Sequence, residues 1–160
     1  MTQTIPSVFA EVDLSLEHLQ TELSRIDLLI QRAVRRWQLA DQDPFDAFRG
    51  LHISAAEADT LLARPFGAHW GATVVESPAE VETFTQAQIQ ADHQAQSLIK
   101  TAHQPLRLAQ LATTFGLTRF ELDILLICLA PTLDLRYERL YAFLQDDVTR
   151  KRPTINLTLD

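Results

Sequence analysis

The side chains with which this sequence could do chemistry are few: five histidines (His18, His52, His69, His93, His103), one cysteine (Cys128), the acidic pairs Asp41/Asp43 and Asp146/Asp147, and the basic triplet Arg150-Lys151-Arg152. A helix aims two imidazoles at one metal ion when they stand at i and i+4. No two of the five histidines have that spacing, and Cys128 has no second cysteine to share a metal with. A nucleophilic thiol needs an accessible, electropositive setting. Cys128 instead lies within Ile124-Leu125-Leu126-Ile127-Cys128-Leu129 and reads as a buried structural thiol. The acidic pairs fall at expected helix ends, where carboxylates cap or are solvated. Nucleotide cradles require Gly-x-x-x-x-Gly-Lys-Ser/Thr or Gly-x-Gly-x-x-Gly, and a serine nucleophile elbow requires Gly-x-Ser-x-Gly. None of these occurs among the four glycines of the chain. The expectation is a polypeptide with no catalytic, cofactor-binding or metal-binding residues of its own, which acts by binding.

Two places suit binding. Arg64-Pro65-Phe66-Gly67-Ala68-His69-Trp70-Gly71 is broken by Pro and Gly, yet carries aromatic rings that need burial or a partner. Phe66, His69 and Trp70 are therefore candidate partner-binding residues, against the plainer reading of a loop folded onto its own helices. Arg150, Lys151 and Arg152 are candidate phosphate contacts in a nucleic-acid reading; a solvated cluster compensating a helix end is the plainer one.

The most specific pattern is Ala112-Thr113-Thr114-Phe115-Gly116-Leu117-Thr118-Arg119-Phe120-Glu121-Leu122. A small residue, a glycine four positions on and an aliphatic six beyond that is the spacing of a helix-turn-helix: Ala permits the crossing, Gly makes the turn, Leu enters the core. Reading DNA bases takes Arg, Lys, Asn or Gln on an exposed second helix. Residues 118–129 supply only Arg119, beside Glu121 and Asp123, in an otherwise apolar helix that reads as buried.

The elements that hold these residues are helical. Ser15 can cap a long helix to about Ala40, with Leu16, Leu19, Leu23, Ile26, Ile30, Ala33 and Trp37 as a heptad-spaced seam. Asp43-Pro44 and Ser54-Ala55-Ala56-Glu57 mark short turns or helices, the second reaching about Ala63. Ser77-Pro78-Ala79-Glu80 opens a helix over about 78–102, whose seam of Val81, Phe84, Gln88, Ala91, Ala95 and Leu98 allows close approach but gains little burial energy. From Pro105 the helices become dense and short: one to Phe115, one from the capping box Thr118–Glu121 to about Leu129, where Pro131 ends it, and one through Leu133, Tyr137, Leu140, Tyr141 and Leu144. Thr154-Ile155-Asn156-Leu157-Thr158-Leu159-Asp160 alternates and reads as a strand, with a helix start at Pro153 as the alternative. The fold class expected is mainly α: a helical bundle with a long N-terminal helix, followed by a winged-helix-like helix-turn-helix module with at most a small β wing. The expected domains are a flexible segment 1–14, a helical lobe 15–104 and a winged-helix-like module 105–160.

Composition agrees. With 46% hydrophobic residues the chain can build a core. Its net charge of −7 comes from residues 1–100, which hold 14 acidic against 7 basic side chains, and such a surface disfavours nucleic acid and anionic membranes. A single cysteine allows no internal disulfide, and no apolar run reaches a membrane span. A soluble, cytoplasmic protein is expected.

The runs Phe115-Gly116-Leu117-Thr118-Arg119-Phe120-Glu121 and Leu129-Ala130-Pro131-Thr132-Leu133-Asp134-Leu135-Arg136-Tyr137-Glu138-Arg139-Leu140-Tyr141-Ala142-Phe143-Leu144-Gln145-Asp146-Asp147, with Arg35-Arg36-Trp37-Gln38-Leu39-Ala40 and Phe48-Arg49-Gly50-Leu51, resemble a known family. It is the N-terminal region of the AAA+ ATPases encoded with bacterial extracellular contractile injection systems, and the likeness covers roughly residues 15–160. The resemblance implies that a relative continues into more winged-helix-like sequence and then an ATPase module. ATP and magnesium would belong to that parent module alone. It also implies protein partners: particle components, cargo or the parent's own ATPase ring, with homo-oligomers formed through the parent. The competing expectations are a winged-helix DNA-binding regulator and a self-association module built on the first helix.

Overall fold

The computed structural model describes residues 8–39, 59, 62, 63 and 74–158. Among them are six helices and no strand: α1 (Val8–Leu39), α2 (Pro78–Thr101), α3 (Arg107–Phe115), α4 (Arg119–Leu133), α5 (Arg136–Leu144) and α6 (Ile155–Thr158). The expected mainly helical class holds. Asp59, Leu62 and Ala63 are also helical. The turn at Asp43-Pro44, the capping box Ser54–Glu57 and the loop with Phe66, His69 and Trp70 lie outside the described residues. The chain divides into two compact units, Met1–Leu29 with Pro78–Ala130 and Ile30–Ser77 with Pro131–Asp160, the divisions falling inside α1 and α4.

Helix α1 starts at Val8 rather than after a Ser15 cap. Nothing between Pro6 and Pro44 breaks a helix, so the chain winds from the earlier point. Ser15, now inside the helix, instead accepts the backbone N–H of Arg107 at 3.4 Å, tying α1 to the start of α3. The heptad-spaced seam is only partly the buried face. Ile26 and Ile30 are buried, but Leu16 is 50% exposed, while the polar His18, Glu22 and Arg25 are buried. Polar side chains replace aliphatics there because complementary charges meet them, as described below.

Helix α2 buries Ala91 and Ala95, and the small side chains bring the backbones close enough for Gln88 Nε2 to donate to the Arg25 carbonyl at 3.4 Å. Helix α3 ends at Gly116, whose φ of 63° lies in the left-handed region. Leu117 N–H donates to the Ala112 carbonyl at 2.9 Å and Gly116 N–H to that of Thr113 at 3.3 Å, which satisfies carbonyls the helix end leaves open. A Cβ at position 116 would meet nothing within 4 Å, so the backbone angle and not crowding calls for glycine.

Helix α4 opens with the expected capping box. Glu121 Oε2 accepts the Thr118 backbone N–H at 2.7 Å and its hydroxyl at 2.8 Å, and Glu121 N–H donates to Thr118 Oγ1 at 3.3 Å. These bonds hold the Glu121 carboxyl below the usual carboxylate range. The helix runs to Leu133, past the expected stop at Pro131. A proline in the last turn forfeits one backbone donor, and this one is fully buried, so its packing offsets that loss.

In the second unit, Trp37 packs against Phe143 with ring centroids 4.4 Å apart and the planes tilted by 47°. Tyr137 and Tyr141 are fully buried, 6.2 Å apart, and the Arg136 guanidinium lies 5.0 Å from the Tyr137 ring centroid. Arg32 grips Glu76 with two nitrogens, at 2.9 and 2.6 Å, and holds segment 74–77 to α1. The Gln145 amide orders the turn that follows α5. Its Nε2 donates to the carbonyls of Tyr141, Arg150 and Arg152 at 3.0–3.1 Å, and its Oε1 accepts Thr154 N–H at 3.2 Å. Residues 155–158 are helical and not the expected strand. Thr154 is the reason, since its hydroxyl accepts Leu157 N–H at 3.4 Å and its carbonyl accepts Thr158 N–H at 3.1 Å.

Candidate functional site

The helix-turn-helix of α3 and α4 is the best-defined candidate site. Leu122, Leu126 and Ala130 point into the interior, as the Ala112/Gly116/Leu122 spacing requires, and Leu106 seals the start of α3. The other face of α4 corrects the expectation of a buried helix. Phe120 is 52% exposed, Leu125 is exposed, and Phe115 at the end of α3 is 73% exposed. Cys128 is exposed as well, contrary to the buried thiol expected. The run 124–129 is apolar throughout and so gives no period. Each residue turns the helix about 100°, and Cys128, two places beyond the fully buried Leu126, is therefore carried to the opposite side.

Arg119, the one cation in residues 118–129, does not extend toward a ligand. Its Nη1 and Nη2 donate to Glu22 Oε1 and Oε2 at 2.9 and 2.7 Å, Nη2 also meets Asp92 Oδ1 at 2.9 Å, and Nε lies 3.7 Å from Asp123 Oδ1. Such a bidentate clamp is directional as well as electrostatic. Arg25 completes the cluster: its Nε is 3.4 Å from Glu22 Oε2 and 3.8 Å from Asp92, and its Nη2 pairs with Asp123. Burial and the neighbouring Arg119 pull the Arg25 guanidinium below its ordinary value. His18, one turn before Glu22, is 1% exposed, with Nε2 3.7 Å from Glu22 Oε1 and neither ring nitrogen hydrogen-bonded among the described residues. Burial, and to a lesser degree Arg119, lower the imidazole from its ordinary 6.5, against the opposing pull of Glu22.

Sequence reasoning missed this cluster. The one available signal was the spacing of His18, Glu22 and Arg25, which share one face of α1.

The candidate phosphate contacts belong to the second unit. Arg150 Nε pairs with Asp147 Oδ2 at 3.0 Å, and Lys151 and Arg152 come within 3.9 and 3.8 Å of Glu138. All three remain mostly exposed. Asp147 is a turn-forming carboxylate: Oδ1 accepts the Thr149 hydroxyl at 2.6 Å and its N–H at 2.9 Å, and these bonds lower its titration point. Among the described residues no three His, Cys, Asp or Glu side chains are grouped to hold a metal ion, and no helix is long and apolar enough to cross a membrane.

The chain matches no curated protein and no solved structure. Residues 13–160 match the family described as "Winged helix domain, variant". That span includes the helix-turn-helix, the ionic cluster behind it and the turn after α5, and on it the chain belongs to this family of winged helix domains.

Proposed function

We infer that this winged helix domain is a non-catalytic, protein-binding module, the N-terminal adaptor or regulatory domain of a AAA+ ATPase linked to a contractile injection system. One observation carries the protein-binding part. The second helix of the motif has its single cation held by Glu22 and Asp92, and turns Phe120, Leu125 and Cys128 to the outside. A surface of that kind lacks the donors that read base edges and offers apolar area to another protein. The link to an ATPase rests on the sequence resemblance of residues 15–160, and in this reading ATP and magnesium bind the parent's own module.

The test has two arms. Photo-crosslinking from Phe115 and Phe120 positions in the native host, read by mass spectrometry, is expected to give adducts with a AAA+ ATPase or a particle component. Titration of a labelled duplex with the purified chain at low salt is expected to show no saturable binding. Saturable binding that weakens as salt rises would overturn the reading.

A second reading, duplex DNA binding through Arg150, Lys151 and Arg152, is favoured by the exposure of these three side chains. It requires that changing all three to Glu abolish duplex binding and reduce its salt dependence.

A further inference from the structure

The cluster behind the helix-turn-helix contains a histidine, a side chain whose ordinary titration range lies near neutral pH. His18 is buried on α1 one turn from Glu22, and Glu22 has both oxygens engaged, Oε1 by Arg119 and Oε2 by Arg119 and Arg25. The other charged groups of the neighbourhood are Asp92 from α2 and Asp123 from α4, each already facing these two arginines. A neutral imidazole fits beside a carboxylate so occupied. An imidazolium is disfavoured there first by burial, since the ring is 1% exposed with neither nitrogen hydrogen-bonded among the described residues. Glu22 attracts it and Arg119 repels it, but Glu22 Oε1, 3.7 Å from Nε2, is the acceptor Arg119 now uses, so a charged ring can take that oxygen only by displacing Arg119.

We propose that His18 is a proton-operated latch on the helix-turn-helix: while the ring is neutral Glu22 holds Arg119 with both oxygens, and opening of α4 from α1 takes up a proton on His18. Nothing in this depends on what docks on the outer face of α4, so it goes beyond the function proposed above.

A histidine whose titration point is lowered in the closed form, here by burial first, binds fewer protons closed than open at pH values below about 6.5. The contribution to closure is fully present above that value and is lost as pH falls toward the depressed point. One proton taken up on opening changes the open-to-closed ratio by up to about tenfold per pH unit in that window.

The test uses the whole chain with ring-labelled histidine. His18 is assigned as the resonance missing from His18→Gln, and two further quantities are followed from pH 7.5 to 5: the Arg119 Nε–H signal, and amide-exchange protection in α4 corrected for its intrinsic pH dependence. In the wild type, the Arg119 signal and protection in the first turns of α4 are expected to fall as the His18 ring titrates, by up to about tenfold per pH unit. In His18→Gln both should stay level over the same range. The latch is overturned if the variant loses protection at the same pH as the wild type, which would put the titration on the carboxylates, or if the wild-type ring titrates while Arg119 and α4 do not respond. Should His18→Gln not fold, His18→Phe supplies the assignment, and coincidence or separation of the two wild-type curves decides.

Discussion

Two ways of filling an interior occur in this one chain. Behind the helix-turn-helix, buried positions of α1 are given to His18, Glu22 and Arg25, whose charges are met by Asp92, Arg119 and Asp123. In the other unit the corresponding depth is given to the rings of Tyr137 and Tyr141, with Trp37 set against a Phe143 that is 40% exposed. The physical difference is one of tolerance. Aromatic packing gains from area and shape and is indifferent to pH and salt. An ionic cluster must be complete, since removing one member strands the others away from water, and its strength answers to the solvent. The same small fold thus has one region whose integrity is conditional and one whose integrity is not.

Three changes break or sharpen that contrast. The largest loss is expected from Tyr141→Ala, about 4 kcal/mol by chemical denaturation, because a fully buried ring leaves a cavity its neighbours refill only in part. That loss should be equal at pH 7.5 and 5.5; a strong pH dependence would mean the aromatic region is not the unconditional one. Glu22→Gln comes next, at about 3 kcal/mol, since it removes one of the three carboxylates around the buried Arg25 and the bidentate partner of Arg119. The loss should shrink when salt is raised, and a value below about 1 kcal/mol would show that the cluster is no better than a surface pair. Gln145→Ala is expected to cost about 2 kcal/mol, through several backbone groups losing one shared partner, and to raise amide exchange over residues 150–154 while leaving α4 unchanged. Exchange that rises in both regions would show that the two are not separable.

What could be read from the sequence divides along the same line. The stop at Gly116, the capping box Thr118–Glu121 and the start of α2 at Pro78 follow from neighbours within a few residues, and each was legible. The burial of His18, Glu22 and Arg25 was not. Their partners Asp92, Arg119 and Asp123 are far along the chain, so a polar stripe on α1 looks like a solvent face until α2 and α4 are laid against it. The same limit explains Leu16, a member of the heptad-spaced seam that is half exposed. Cys128 failed for another reason: a uniformly apolar stretch does not say which way each side chain points. The expected strand failed over residues 155–158 because alternation and a single helical turn look alike over so short a run, and the hydroxyl of Thr154 decided between them.

The turn between α3 and α4 has a consequence for chemical synthesis. Position 116 demands the backbone angle that an ordinary amino acid resists, although the Cβ of an L residue would meet nothing within 4 Å there. The mirror-image residue prefers that angle. A chain assembled by ligation with D-alanine at 116 should keep the turn unchanged and, having less freedom to lose on folding, gain about 0.5–1 kcal/mol over glycine, whereas L-alanine at the same atom should lose about as much or more.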